Sequence, residues 1–91
     1  MAKTILIIDD DPGMCRLIQR GLNHPDHVIY SATSAEEAKR LLSVKPDLVI
    51  LDVVLADATK SPELLQEIRS QLPNVPVLLM MSAALQNSKT F

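Results

Sequence analysis

Apolar residues fall in two rhythms along this chain. Ile5-Leu6-Ile7-Ile8 and Leu48-Val49-Ile50-Leu51 are unbroken runs of four, and each stops at an aspartate. A run that is apolar at every position suits a strand buried on both faces, as in a parallel sheet with helices above and below. Between the runs the apolar positions follow helical spacing. Met14, Leu17, Ile18, Gly21 and Leu22 form one stripe; Ala35, Ala38, Leu41 and Leu42 a second; Leu64, Leu65, Ile68 and Leu72 a third. Each stripe has a start signal. Asp11 reads as an N-cap with Pro12 at the first helical position, Ser34 and Glu37 form a capping box, and Ser61-Pro62 repeats the cap-then-proline device. Asn23-His24-Pro25-Asp26, Lys45-Pro46-Asp47 and Pro73-Asn74 interrupt the pattern. The predicted strands are Thr4–Ile8, His27–Ala32, Leu48–Leu51 and Val75–Met81, the last ending at Ser82. Strands alternating with helices of about three turns imply right-handed βαβ units. The fold class is α/β, a doubly wound parallel sheet. After Ser82 the chain turns polar, and residues 84–91 read as a partial helix or tail. A further helix and strand do not fit there, because a parallel crossover needs roughly a dozen residues.

This pattern places chemistry. Asp9-Asp10-Asp11 follows the first strand and Asp52 the third. In open α/β sheets ligands bind just beyond the carboxyl ends of the strands. Crowded carboxylates ionise together only with a cation among them, and without one at least one pKa rises. An all-oxygen cluster suits a hard divalent ion such as Mg²⁺. The bland reading is a pair of solvated acids at a strand end, and convergence with Asp52 weighs against it. Asp11 is read as the N-cap rather than a ligand.

Composition narrows the field. Ninety-one residues allow one domain, 1–91. Aromatics are only 2 % against 47 % hydrophobic residues, so the core is aliphatic. The net charge is −2 with no basic stripe, which argues against nucleic acid as a direct partner. The lone Cys15 excludes an intramolecular disulfide and fits a reducing cytosol. It is read as a half-buried, inert helix residue. The N-terminal apolar run is too short for a signal peptide or a membrane span, so a cytoplasmic protein without membrane contact is the expectation. His24 and His27 flank a turn and read as surface residues.

The acid pair after the first strand, the acid after the third and Ser82-Ala83 after the fourth together resemble a two-component response-regulator receiver domain. The resemblance covers about residues 3–83. It implies a flavodoxin-like receiver fold lacking the last strand and helix, with Mg²⁺ as cofactor. It implies that Asp52 is the phosphoacceptor, Asp10 a direct metal ligand, Asp9 a support acting through water, and the Val54 carbonyl a further ligand. Ser82 becomes the hydroxyl that contacts the phosphoryl oxygen. The family pattern is broken where Ala56-Asp57-Ala58-Thr59-Lys60 replaces a Pro-Asp-Gly-like turn. The family's lysine at the end of strand five has only Lys89, in Lys89-Thr90-Phe91, as a counterpart.

Function follows as an expectation. The chain accepts a phosphoryl group on Asp52 from a sensor histidine kinase or a phosphotransfer protein. It acts through protein–protein contacts and is no enzyme beyond slow autodephosphorylation. The alternative is a non-phosphorylated pseudo-receiver serving as an interaction or dimerisation module. A stand-alone Mg²⁺-dependent phosphohydrolase shares the aspartate nucleophile but lacks a second general acid near it. The apolar fourth strand is expected to form a sheet edge that drives a homodimer.

Overall fold

A computed structural model of the chain describes residues 2–52 and 60–80. The expected Val54, Ser82 and Lys89 site residues, Met81 and the 84–91 tail lie outside the described residues. The elements run β1 (Lys3–Ile8), α1 (Pro12–Leu22), β2 (His27–Ala32), α2 (Ala35–Leu41) with a short 3₁₀ turn over Leu42–Val44, β3 (Leu48–Asp52), α3 (Lys60–Gln71) and β4 (Val77–Met80). All strand pairs are parallel, and the order is β2-β1-β3-β4. The doubly wound parallel sheet is therefore as expected.

Alternation explains the unbroken runs. Leu6 and Ile8 of β1, with Val49 and Leu51 of β3, join Ala35, Ala38, Leu42, Leu64 and Ile68 in one core layer. Ile5 and Ile7, with Ile50, point the other way and pack with Cys15 of α1. Successive strand side chains face opposite sides, so a strand covered on both must be apolar at every position.

Five local expectations shift. The inward seam of α1 is the buried Cys15 with the half-buried Ile18 and Leu22, whereas Leu17 is 61 % exposed. Cys15 is buried rather than half-buried, and its Sγ donates to the Asp9 carbonyl at 3.4 Å. Cysteine is among the most frequently buried residue types, and it sets the helix phase here. Helix α3 begins at Lys60, one residue before the expected cap Ser61. Pro62 is tolerated there because the first N–H groups of a helix have no intrahelical acceptor anyway. Strand β4 starts at Val77 rather than Val75. The Val75 N–H turns back to the Leu72 carbonyl, and Pro76 contributes only its carbonyl, to Val49. In the α2 box, Ser34 Oγ accepts from the Glu37 N–H at 3.2 Å. The Glu37 carboxylate reaches Thr33 N–H at 2.8 Å, one residue before the cap.

Candidate metal and phosphoryl site

Strand order places the site. The chain leaves β1 for β2 on one side and reaches β3 on the other, so the crevice opens beyond the carboxyl ends of β1 and β3. The register pairs Ile8 with Leu51. One step further along each chain stand Asp9 and Asp52.

Asp9 is held at nearly every polar atom. Its N–H donates to the Ala32 carbonyl at 3.0 Å, and its carbonyl accepts from Cys15 Sγ. Its Oδ1 accepts from the Asp11 N–H at 2.9 Å. The remaining oxygen, Oδ2, is buried with no hydrogen-bond partner among the described residues. Asp9 is 1 % exposed and Asp52 3 % exposed, the two buried polar residues of the described core. Asp10 is exposed beside them. One carboxylate oxygen from each of Asp9, Asp10 and Asp52 lies within 4.8 Å of the others. Asp11 stands apart from this trio and caps α1, its Oδ1 accepting from the Gly13 N–H at 2.9 Å. A buried carboxylate oxygen without a donor normally carries a heavy penalty.

Electrostatics agree. The Asp9 carboxyl is pushed from 3.8 up to about 6, first by burial and then by the neighbouring charges of Asp52, Asp10 and Asp11; the Asp11 N–H bond works against this. Crowding was the expected cause, and burial is the larger one. Burial also pushes the Cys15 thiol up, helped by Asp9 and Asp11, so it stays protonated as a donor. Sequence periodicity undervalues Cys15, which joins α1 to the acid strand end; its only signal is its helical register with Ile18 and Leu22. A donor set made only of carboxylate oxygens, one of them lacking a proton donor, fits a hard divalent cation.

The family model for the response regulator receiver domain matches residues 5–90. The chain belongs to the response regulator receiver family. Among relatives of this receiver, the transcriptional regulatory protein CssR of Bacillus subtilis is 32 % identical over 80 residues, covering 88 % of this chain and 35 % of the relative. The alkaline phosphatase synthesis transcriptional regulatory protein PhoP of the same organism is 33 % identical over 81 residues, covering 88 % of this chain and 33 % of that one. The receiver thus spans about a third of the length of these curated relatives. In fold it is similar to the chemotaxis protein CheY4 of Vibrio cholerae, with TM-score 0.77 and 20 % identity over 99 % of this chain and 80 % of the other. The HemR receiver domain of Leptospira biflexa gives TM-score 0.74 at 24 % identity, over 96 % of this chain and 74 % of that chain.

Receivers of this family are signalling modules of two-component systems. They bind Mg²⁺ at an acidic pocket and interact with histidine kinases or phosphotransfer proteins. No helix among the described residues is long and apolar enough to cross a membrane.

Proposed function

We propose that this receiver takes a phosphoryl group onto Asp52 from a sensor histidine kinase or phosphotransfer protein and signals through protein contacts in the cytoplasm. The observation that carries this reading is the unpartnered Asp9 Oδ2, buried in one cluster with Asp52 and Asp10. Asp10, Asp52 and the Val54 carbonyl would hold Mg²⁺, with Asp9 acting through water. A bound Mg²⁺ offsets negative charge shared between the acids and the incoming phosphoryl oxygens. An Asp52 carboxylate oxygen forms the new O–P bond while the donor's bond to phosphorus breaks, its electron pair staying with the donor. Asp52 sits at the last position of β3, where a rigid sheet fixes the line of attack. Ser82 contacts a phosphoryl oxygen, and Lys89 supplies a cation to it. Loss of the phosphoryl group to water is slow, so the receiver is a switch rather than an enzyme.

Incubation with acetyl phosphate and Mg²⁺, followed by mass spectrometry, tests this. One phosphoryl mass is expected, lost to hydroxylamine because the product is an acyl phosphate, and absent from Asp52→Asn. A modification that survives both treatments refutes the assignment.

Leu78 and Leu79 on β4, 57 % and 49 % exposed, favour a second reading. In it the chain is an interaction module that pairs into a homodimer along the β4 edge without needing phosphate. Light scattering separates the two. A dimer mass abolished by Leu79→Lys, in protein that takes no phosphoryl group, supports this second reading.

A further inference from the structure

At the opposite end of the sheet, a cleft of about 420 Å³ lies between α1 and β2, lined by Arg16, Gln19, Arg20, Asn23, His27 and Ile29. His27 pairs with Lys3 at the start of β1, so the β2 side of this cleft lies at the amino end of the sheet, away from Asp9 and Asp52, while the Arg16 guanidinium reaches toward Gly13 and the cap Asp11. Arg16, Gln19 and Arg20 of α1 and its C-cap Asn23 stand at i, i+3, i+4 and i+7, along one side of the helix. No acid lines it, and neither guanidinium has an ion pair or hydrogen bond among the described residues. The helix dipole accounts for a cation in the last turn, where Arg20 sits. Arg16 lies a full turn earlier, beyond that effect.

β2 is the outermost strand, with β1 on one side and no strand neighbour on the other among the described residues. Its backbone edge therefore runs beside the arginine face. We propose that an extended acidic segment of a partner protein docks here, adding alongside β2 and placing carboxylates on Arg16 and Arg20. Spacing supports this occupant. Same-face side chains of an extended segment repeat every ~6.7 Å, and Arg16 and Arg20 are separated by ~6 Å along a helix axis. Main-chain bonds to the strand edge supply affinity, and the paired guanidiniums supply specificity for acid at alternate positions. The half-buried Ile29 gives the cleft an apolar floor for the backbone to lie against. A small free anion fits less well, because the cleft is open and small ligands need most of their surface enclosed.

The test is a titration of the isotopically labelled chain with a short blocked peptide alternating glutamate and valine, followed by NMR. The expected result is amide shifts along β2 together with shifts of the Arg16 and Arg20 guanidinium signals. The doubly reversed variant Arg16→Glu/Arg20→Glu should bind roughly tenfold weaker or worse. Both arginines are exposed, so the fold should survive, and Arg16→Gln/Arg20→Gln with an unchanged amide spectrum provides the check. The same peptide with glutamine for glutamate should not bind. Equal binding by wild type and reversed variant overturns the proposal. Equal shifts at equal affinity with citrate or inorganic phosphate overturn it too, and would mark a simple anion site.

Discussion

Asp9 and Asp47 are the same residue type at opposite ends of neighbouring strands, and the chain treats them differently. Asp47 precedes β3. Its Oδ2 accepts from the Thr4 N–H at 2.8 Å, and its own N–H donates to the Thr4 carbonyl at 2.7 Å. That acid is exposed and stitches β1 to β3. Asp9 follows β1, is buried, and keeps one oxygen without a donor. Asp47 is paired where it stands, whereas the buried Asp9 Oδ2 lies in the cluster whose donor set fits a hard divalent cation. The strand ends therefore divide the labour: the amino end holds the sheet together, and the carboxyl end holds charge in reserve.

The largest effect expected from that division is a response to Mg²⁺. At a concentration a hundredfold above its Kd, the ion should stabilise the wild-type chain by roughly 2.7 kcal/mol, read as a rise in Tm. Ca²⁺-free, Mg²⁺-free protein should then show the Asp9 pH signature. Its folded pKa near 6 lies above the unfolded 3.8, so the folded state binds the proton more tightly. The stability this contributes is fully present below pH ~4 and is lost as pH rises through ~6, an effect on the order of 3 kcal/mol. Subtracting the same scan for Asp9→Asn isolates it from the other carboxylates.

The amino end should behave in the opposite way. Asp47→Ala removes the acceptor of the Thr4 N–H and should cost about 1 kcal/mol in urea unfolding, with the Mg²⁺ response untouched. Ser34→Ala, which removes the α2 cap, should lose ~1 kcal/mol, again without altering the Mg²⁺ response. If Asp47→Ala instead weakens Mg²⁺ binding tenfold, the two ends are coupled and the division fails.

Much of this was legible in the residues. Four-residue apolar runs can face two helical layers only if every position is apolar, so β1 and β3 were plain, and with them the acids at their ends. The Asp11 and Ser34 caps were equally plain, because capping is local chemistry. What the residues hid depends on tertiary context. The phase of α1 turned on whether Cys15 or Leu17 faces the sheet, and hydropathy alone favours leucine. The β4 start depends on where the Val75 N–H finds an acceptor, which is a matter of the preceding turn. Crowding of the acids can be read along a chain but burial cannot, and burial is the larger cause of the Asp9 shift; the Ala32 and Cys15 contacts tie the Asp9 backbone to β2 and α1.

The central claim is that the carboxyl-end cluster is strained without a cation and satisfied with one. Thermal unfolding of the wild type and Asp9→Asn at neutral pH, each with and without Mg²⁺, addresses it most directly. Without Mg²⁺, Asp9→Asn should melt higher, because it removes a buried charge and gives Asp10 and Asp52 an amide donor. With Mg²⁺ the order should reverse, since the wild type gains the ion and the variant gains little. Two melting curves that keep the same order in both conditions would contradict the account.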